Sequence, residues 1–313
     1  MNILVTGGAG FIGSHLCTEL LKQGNQVVCL DNFELGSREN LMDILDNSQF
    51  TLIDEDASNI SVLDSLLDKM QIEMVFHLAA NSDIQKSAVS PEIDFRNTFS
   101  TSYSVLEAMR RNRVKKLFFA STSAVYGEKT NIKLSEDMGA LSPISYYGGA
   151  KLASEAFISS YAYMNDFDVT IFRFPNVIGP RLTHGVIFDF IRKLKKDHTR
   201  LQILGDGKQK KPYLYVFDLI DAILKVSLSG DEGVNIYNIG VENATTVKEI
   251  ADMVCEKMGY KGVRYLYTGG QCGWKGDVPQ FQYDLSKIHQ WGWQPSYTSN
   301  EAVMKTLDYV LKE

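Results

Sequence analysis

The sequence predicts an α/β fold built on a doubly wound parallel sheet. The chain opens on an apolar run that breaks directly into glycines, and apolar runs then alternate with stretches of helical spacing. Hydroxyl side chains also cluster directly after one of these runs. Alternating strands and helices are typical of parallel sheets with right-handed crossovers. Such sheets bind their ligands at the carboxyl ends of the strands.

The first element is a strand that leads into a glycine turn. Residues 3–5 have the β-branched pattern of a central parallel strand, and residues 14–21 repeat apolar side chains at helical spacing. Between them Gly7, Gly10 and Gly13 form G-x-x-G-x-x-G. In this setting the chain turns at the first glycine, approaches a pyrophosphate at the second and packs helix on strand at the third. The pattern predicts a dinucleotide site at a helix N-terminus, with a tight turn that binds no ligand as the alternative.

The second strand, at residues 26–30, ends at Asp31. In a dinucleotide-binding unit, a carboxylate about 20 residues past the glycines accepts hydrogen bonds from the adenosine ribose. It also repels a 2′-phosphate, so Asp31 predicts NAD in preference to NADP. The alternative is that Asp31 caps a turn or a helix.

Residues 50–53 predict a third strand, and residues 62–70 predict an amphipathic helix. A fourth strand is predicted at residues 74–80, where small terminal side chains let a cofactor lie close over the sheet. His77 lies inside this apolar run. We interpret it as a buried structural histidine and not as a catalytic base.

A helix at residues 93–111 and a fifth strand at residues 115–120 lead into the hydroxyl side chains of Ser121, Thr122 and Ser123. A serine-rich turn is common on its own. Its place at the ligand-binding edge of the sheet makes these hydroxyls candidates for chemistry if a second motif supports them.

The second motif opens a helix that runs from residue 145 toward residue 163 and contains Tyr147 and Lys151. Residues four positions apart share one helix face about one turn apart. A lysine cation so placed stabilises a phenolate, and a positively charged nicotinamide adds to that effect. The tyrosine pKa of about 10 is then expected to fall toward working pH. The pair predicts a general base, with an ordinary surface tyrosine and lysine as the alternative.

The rhythm of strands and helices loosens in the second half of the chain. The predicted elements there are a strand, a helix and a shorter strand, at residues 169–174, 187–196 and 201–204. We expect an NAD-binding domain at residues 1–175 that is rejoined by about residues 213–235. Residues 176–313 are expected to form a smaller, interleaved substrate-binding part.

Composition and charge argue against several classes of protein. The 313 residues are enough for a sizeable core, and the net charge of −6 argues against nucleic acid as the main partner. The basic cluster within residues 191–200 is interpreted as the solvated face of a helix, with a phosphate-facing role as the alternative. The four cysteines are scattered without a C-x-x-C pair, so no metal site is predicted. No apolar run approaches the roughly 18 residues of a membrane span, so a cytoplasmic protein without membrane insertion is expected.

The glycine loop, Asp31, Thr122, Tyr147 and Lys151 together resemble the extended short-chain dehydrogenase/reductases, in particular the nucleotide-sugar epimerases and dehydratases. Within them the likeness is strongest to the UDP-galactose (UDP-glucose) 4-epimerases. Further motifs that carry the resemblance lie at residues 77–80, 97, 125–127, 173–177, 205–207 and 276–279. The resemblance implies a Rossmann-type sheet with a smaller C-terminal α/β part, and NAD as cofactor.

The resemblance also implies a reaction at the 4-hydroxyl of a sugar. Tyr147 takes the hydroxyl proton while hydride passes to bound NAD, the 4-keto sugar turns over, and hydride returns to its other face. Lys151 lowers the tyrosine pKa and holds the nicotinamide ribose, while Thr122 bonds the reacting oxygen and Ser123 is placed to share that task. The cofactor contacts that the family implies, besides Tyr147 and Lys151, are Gly7, Gly10, Phe11, Ile12, Gly13, Asp31, Asn32, Asp56, Ala57, Leu78, Ala79, Ala80, Asn97 and Phe174.

The subclass is indicated by residues that the chain lacks. The 4,6-dehydratases place Asp-Glu directly after the threonine, where this chain has Ser123 and Ala124. UDP-glucuronate decarboxylases generally keep a glutamate at the position of Ala124. Epimerisation needs only one proton shuttle and reversible hydride transfer, so we expect a 4-epimerase of the UDP-glucose/UDP-galactose type. The alternatives are a 4-keto reductase, a UDP-hexuronate epimerase or decarboxylase, and a non-catalytic NAD-binding regulator.

The substrate is indicated less sharply. Phe281 stands five positions past the glycine of Gly-Asp, where bulk in UDP-galactose 4-epimerases disfavours N-acetylated hexoses, so plain hexoses or hexuronates are expected. Lys211 and Trp274 replace arginines that the family usually places on the pyrophosphate, and lysine supplies charge without a bidentate fork. UDP is therefore favoured while GDP, CDP and dTDP stay open. The implied substrate contacts are Thr122, Asn176, Arg181, Lys211, Lys275, Asp277 and Phe281, and the family suggests a homodimer through the helices near residues 93–111 and 145–163.

Overall fold

The computed structural model describes residues 1–82, 84, 88–129, 132–227 and 232–312. The chain forms two compact units. The first comprises Met1–Val125, Ser145–Arg173 and Ile220–Tyr237, and the second comprises Tyr126–Ile144, Phe174–Leu219 and Asn238–Glu313. Residues 228–231, within the predicted segment 213–235, lie outside the described residues.

The strands alternate with helices over the first half of the chain, as predicted. In chain order the strands are β1 (Asn2–Thr6), β2 (Gln26–Asp31), β3 (Phe50–Asp54), β4 (Met74–His77), β5 (Lys116–Thr122), β6 (Lys133–Leu134), β7 (Asp168–Phe174), β8 (Asn176–Ile178), β9 (Arg200–Ile203), β10 (Lys210–Lys211), β11 (Tyr213–Tyr215), β12 (Val234–Asn238), β13 (Thr245–Thr246), β14 (Arg264–Tyr267) and β15 (Gln282–Tyr283). The α-helices are α1 (Phe11–Lys22), α2 (Ile60–Lys69), α3 (Thr101–Asn112), α4 (Tyr146–Asn165), α5 (Val186–Lys196), α6 (Val216–Ser227), α7 (Val247–Lys257), α8 (Ser286–His289) and α9 (Ser299–Val310).

A seven-stranded sheet in the order β12-β7-β5-β4-β1-β2-β3 organises the first unit. The pairs β1–β2, β2–β3, β1–β4 and β4–β5 are parallel. The chain builds outward from β1 to β3 on one side and then returns to β4 on the other. This reversal between β1 and β4 is the switch point at which open α/β sheets bind ligands.

One face of this sheet is covered by α2, α3 and α4. Leu63 and Leu67 of α2, together with apolar residues of the other two helices, pack on strand residues such as Leu4 and Leu117 in one buried cluster. The starts of α2 and α4 are capped by the side chains of Asn59 and Ser145. Asn59 accepts a hydrogen bond from the Val62 N–H at 3.4 Å, so α2 begins before the predicted residue 62.

Two predicted elements differ from the structure. The fourth strand ends at His77 and does not reach residue 80, because residues 78–80 leave the ladder at the switch point. The predicted helix at 93–111 is interrupted: a single turn, Glu92–Asp94, and a π-helical segment, Phe95–Ser100, precede α3. Hydrophobic spacing identifies the helical stretch, but it does not distinguish a π segment from an α-helix.

The second unit has small two-stranded sheets around a separate core. β8 pairs with β11, β9 with β14, β10 with β13 and β6 with β15. Its buried cluster draws on α5, α7 and α9, including Phe190, Val254 and Leu307. Thr246 and Thr298 form complete capping boxes with Glu249 and Glu301, which fix the starts of α7 and α9. Across the described ranges, no helix combines the length and the apolar character needed to cross a membrane.

Candidate active site

Two glycines of the motif between β1 and α1 lie where the fold leaves no room for a side chain. Gly7 has a φ of +70°, and a Cβ on it would lie 2.7 Å from the backbone nitrogen of Ala79. A Cβ on Gly13 would lie 2.2 Å from the carbonyl oxygen of Gly7. Gly10 is the N-cap of α1 and offers no side chain to the first free N–H groups of the helix. These features fit the backbone cradle that a dinucleotide pyrophosphate requires.

Asp31 ends β2, next to the glycine turn. Its Oδ2 accepts a hydrogen bond from the Ala9 N–H at 2.9 Å, and its Oδ1 accepts one from the Phe33 N–H at 2.9 Å. Burial raises the pKa of this carboxyl, while the backbone hydrogen bonds oppose the rise. Each carboxylate oxygen has a second lone pair, so the group retains acceptor capacity for ribose hydroxyls.

A groove of about 400 Å³ lies beside Asp31 and is lined by Asn32, Phe33, Gly36, Ser37, Arg38 and Asp54. The Arg38 guanidinium lies 4.8 Å from the centroid of the Phe33 ring and forms a 2.9 Å ion pair with Asp54. Phe33 and Arg38 are not among the residues predicted from the sequence. Phe33 has a positive φ of 57° and lies in a bend outside the strands and helices. No periodic pattern of apolar residues therefore marks it in the sequence.

The other predicted cofactor residues nearby form side-chain contacts of their own. Asn32 donates to Asp56 at 2.8 Å, and Asn97 in the π segment donates to Glu34 at 2.9 Å. Burial raises the pKa of Asp56, but hydrogen bonds from Ser58 and Asn32 outweigh it, and the net shift is downward. Phe11 and Ile12 open α1, while Leu78, Ala79 and Ala80 follow β4.

Tyr147 and Lys151 lie on α4, one turn apart as predicted. The Lys151 side chain is buried, and its Nζ donates to the carbonyl oxygen of Ala120 at 2.7 Å. The same Nζ lies 4.7 Å from the centroid of the Phe119 ring. Burial lowers the Lys151 pKa to about 7, and the negative charges of nearby carboxylates oppose that fall.

The Tyr147 hydroxyl is hydrogen-bonded to Thr122 at the end of β5, which brings two predicted catalytic residues together. Burial raises the pKa of Tyr147, the hydrogen bond from Thr122 lowers it, and the charge of Asp94 raises it again. The net direction is upward, opposite to the fall expected from Lys151. Thr122 Oγ1 also accepts the Ala124 N–H at 3.2 Å, and Ser123 begins the 3₁₀ turn Ser123–Tyr126.

His77 is a structural residue, as the sequence analysis predicted. Its Nδ1 lies 2.7 Å from Thr6 Oγ1, and its Nε2 lies 3.1 Å from Ser102 Oγ. Ser102 donates its own proton to the carbonyl of Thr98 at 2.7 Å, so His77 carries its proton on Nε2 and accepts from Thr6 at Nδ1. Burial and the charge of Lys151 lower the His77 pKa to about 3, which keeps the ring neutral.

In the second unit, Lys211 and Asp277 form an ion pair whose side chains are largely buried. Asp277 Oδ2 also accepts the Gly273 N–H at 3.1 Å. The Lys211 Nζ lies 5.3 Å from the centroid of the Trp274 ring. The charge of Lys211 is therefore already balanced by a carboxylate of the same unit.

The remaining predicted substrate residues also belong to the second unit. Asn176 opens β8, opposite Tyr213 of β11, and the two side chains are hydrogen-bonded. Arg181 has a left-handed backbone with a φ of 69°. Phe281 is 9% exposed and packs against Tyr283 with ring centroids 5.5 Å apart, whereas Lys275 is exposed. Phe174 ends β7.

The chain is similar in sequence to known enzymes. The model of the NAD dependent epimerase/dehydratase family matches residues 3–240. A relative from Methanocaldococcus jannaschii described as a putative UDP-glucose 4-epimerase is 31% identical and covers 98% of both chains.

Two of the similar solved structures match the chain over almost its whole length. The crystal structure of a UDP-galactose 4-epimerase has a TM-score of 0.87 at 36% identity and covers 100% of this chain and 99% of that one. The UDP-glucuronic acid 4-epimerase from Bacillus cereus has a TM-score of 0.90 at 30% identity, with coverage of 100% and 99%. The predicted Rossmann-type fold is confirmed, and the prediction of NAD agrees with the NAD dependence of the matched family. The chain belongs to the NAD-dependent epimerase/dehydratase family, within the extended short-chain dehydrogenase/reductases.

Proposed function

We propose that the protein is an NAD-dependent 4-epimerase of a nucleotide-activated hexose, with UDP-glucose and UDP-galactose as the favoured pair. The observation that carries this proposal is the placement of Tyr147, which bonds Thr122 and lies one helix turn from the buried amine of Lys151. In this proposal Tyr147 is the group that transfers the proton. Ser123 and Ala124, which follow Thr122, offer no second acid and base for an elimination of water.

In the proposed reaction, Tyr147 removes the proton of the sugar 4-hydroxyl and later returns it to the same oxygen. Thr122 orients the hydroxyl by sharing a hydrogen bond with the phenol oxygen. NAD, when bound, accepts and returns the hydride of carbon 4. Because the same tyrosine serves both directions, no net proton leaves the site over one turnover.

Lys151 supplies the positive charge that a Tyr147 phenolate needs. Its amine is anchored to Ala120 and is desolvated, so a nearby negative charge interacts with it more strongly than in water. The upward pKa shift of Tyr147 keeps the phenol protonated in the protein itself. Loss of the Tyr147 proton, which forms the phenolate, therefore depends on Lys151 remaining charged during the reaction.

We propose two sets of contacts, one for NAD and one for the nucleotide sugar. The proposed NAD contacts are Gly7, Gly10, Phe11, Ile12, Gly13, Asp31, Asn32, Asp56, Ala57, Leu78, Ala79, Ala80, Asn97, Tyr147, Lys151 and Phe174. The proposed sugar and nucleotide contacts, besides Thr122, are Asn176, Arg181, Lys211, Lys275, Asp277 and Phe281. The ion pair of Lys211 with Asp277 supports a diphosphate site held more by hydrogen bonds than by net charge.

A UDP-hexuronate 4-epimerase is the second candidate. The similar structure from Bacillus cereus is described as a UDP-glucuronic acid 4-epimerase. Discrimination between the two candidates rests on the carboxylate at carbon 6, which a plain hexose lacks. A substrate panel containing both sugars separates them directly.

The test is incubation of the purified protein with UDP-galactose, UDP-glucuronic acid and UDP-N-acetylglucosamine without added NAD, followed by proton NMR of the anomeric region. A 4-epimerase that retains its cofactor converts UDP-galactose to an equilibrium mixture with UDP-glucose. A Tyr147→Phe variant is the matched control, since it keeps the ring and removes the hydroxyl. Turnover that requires stoichiometric reduced cofactor would instead identify a 4-keto reductase, and equal turnover by Tyr147→Phe would refute the assigned mechanism.

We further propose that the active form is a homodimer. Exposed apolar side chains lie on α4 and on the helical stretch around residue 99, where Phe99 packs edge-on against Phe157 at 5.1 Å. Tyr163 is 88% exposed and Met164 is 76% exposed. A second copy of the same helices would cover this apolar surface.

A further inference from the structure

Three consecutive residues at the end of β5 each bind one residue of α4. The pairs are Thr122 with Tyr147, Ala120 with Lys151 and Ser121 with Glu155. On α4 these partners follow one another at intervals of four residues, so they lie along one face of the helix. Tyr147 and Lys151 have roles in the proposed reaction, whereas Glu155 is not yet accounted for.

Glu155 is held from two directions. Ser121 Oγ donates to its Oε1, and Arg173 of β7 donates from Nε to both carboxylate oxygens at 3.1 and 3.2 Å. The Arg173 Nη2 adds a third bond to Oε2 at 2.6 Å. The two charged side chains are only 4% and 5% exposed, so this ion pair is buried. With this many bonds the carboxylate is fixed in position.

The surroundings of Lys151 contain a balanced set of buried charges. Lys151 and Arg173 are the cations, and Glu155 and Asp94 are the anions. Asp94 is 1% exposed, and its Oδ1 accepts from Asn81 Nδ2 at 2.9 Å. His77 faces Lys151 from β4 as a neutral ring, and Tyr147 faces it from the preceding helix turn.

We propose that Glu155 is a positioning residue, which keeps Lys151 charged and holds α4 in register with β5 so that Tyr147 meets Thr122. The inference rests on the proposed roles of Tyr147 and Lys151. Desolvation works against the Lys151 cation, and the fixed carboxylate one turn away offsets part of that cost. Arg173 and Ser121 serve by orienting the carboxylate.

The effect of the Glu155 charge can be measured as a shift of the Lys151 pKa. Lys151 has a pKa near 7 with both carboxylates in place, so its charge is poised in the physiological range. Removing an opposite charge at this range lowers an amine pKa by about one unit or more. The fraction of charged Lys151 at pH 7.5 would then fall by about tenfold, and kcat would fall with it while KM changes little.

The experiment uses Glu155→Gln, which keeps the shape and removes the charge. Protein labelled with carbon-13 at lysine Cε is titrated by NMR, with the Lys151 signal identified by its loss in Lys151→Met. Because Glu155→Gln removes the buried carboxylate to which Arg173 is bonded, the double variant Glu155→Gln/Arg173→Gln is measured as well. Glu107→Gln is the matched control, since Glu107 is a buried carboxylate paired with Arg110 and Arg111 on α3.

We expect the Lys151 midpoint and the alkaline limb of kcat to move down together by about one pH unit in Glu155→Gln. The shift should be smaller in the double variant, because loss of the Arg173 cation raises the Lys151 pKa. Glu107→Gln should leave both unchanged. An unmoved Lys151 midpoint in a Glu155→Gln protein that keeps its thermal transition overturns the proposal. The NMR titration requires no substrate, so it decides the role of Glu155 even if the protein turns over none of the nucleotide sugars tested.

Discussion

Acid destabilisation through His77 can be worked out from the structure. His77 is 1% exposed, and burial together with the Lys151 charge lowers its pKa to about 3. In the unfolded chain a histidine titrates at about 6.5. Between these values the unfolded state binds a proton that the folded state does not, so the stability that His77 contributes is lost as the pH falls from about 6.5 toward 3.

The magnitude follows from the proton linkage of one group. Each pH unit in this window changes the free energy of unfolding by about 1.4 kcal/mol. Lowering the pH from 7 to 5 therefore costs about 2 kcal/mol through His77 alone. This is a substantial part of the roughly 5–15 kcal/mol by which a domain is stable.

The assay compares wild type with His77→Asn, which keeps a polar group near Thr6 without titrating in this range. Urea unfolding followed by far-ultraviolet circular dichroism at pH 7 and pH 5 gives the pH-dependent loss for each protein. We expect the loss to be smaller by about 2 kcal/mol in the variant, although the variant is less stable at pH 7. Equal losses in both proteins would refute the assignment of a neutral, buried His77.

Four further outcomes follow from the site. Tyr147→Phe should lower kcat by about a thousandfold while the bound NAD content stays unchanged, as measured by steady-state turnover and by release of the cofactor on denaturation. Gly7→Ala places a Cβ 2.7 Å from the backbone nitrogen of Ala79 at a φ of +70°. The purified protein should therefore lose NAD and melt at a lower temperature. An unchanged NAD content and melting temperature would contradict the close approach of the two backbones. Phe281→Ala should admit UDP-N-acetylglucosamine as a substrate, and an unchanged preference in competition assays would exclude Phe281 as the gate. Phe157→Glu should shift the mass seen by light scattering from dimer to monomer, and an unaltered dimer would place the interface elsewhere.

Much of the first unit was predictable because its elements obey simple periodicities. The strands are continuous apolar runs, the helices repeat at 3.6 residues, and Gly7, Gly10 and Gly13 mark the tight turn between β1 and α1. The one-turn spacing of Tyr147 and Lys151 was also readable, since helix geometry alone fixes it. The family resemblance implied that Tyr147 and Thr122 act on the same sugar oxygen, whereas their direct hydrogen bond was not predicted.

Other features have no local signal. The ion pair of Glu155 with Arg173 joins a helix to a strand 18 positions further along, and only the packing of the sheet brings the two together. The upward pKa shift of Tyr147 arises because burial, together with the charge of Asp94, outweighs the hydrogen bond from Thr122, and sequence spacing does not report burial. In the second unit, by contrast, a signal was present and missed: the patterns Thr246-x-x-Glu249 and Thr298-x-x-Glu301 are capping boxes that mark the starts of α7 and α9.

The π-helical segment Phe95–Ser100 determines how the preceding turn, Glu92–Asp94, is rotated about the helix axis. A π turn spends one more residue per turn than an α-helix, so the chain before it is rotated about the helix axis relative to α3. Deleting one residue of the segment would restore a regular α-helix and swing Asp94 by about 100° around that axis. The buried carboxylate would then leave its place near Lys151 although no charged residue had been changed. In this protein, the electrostatics of the lysine depend on how many residues one turn of a neighbouring helix contains.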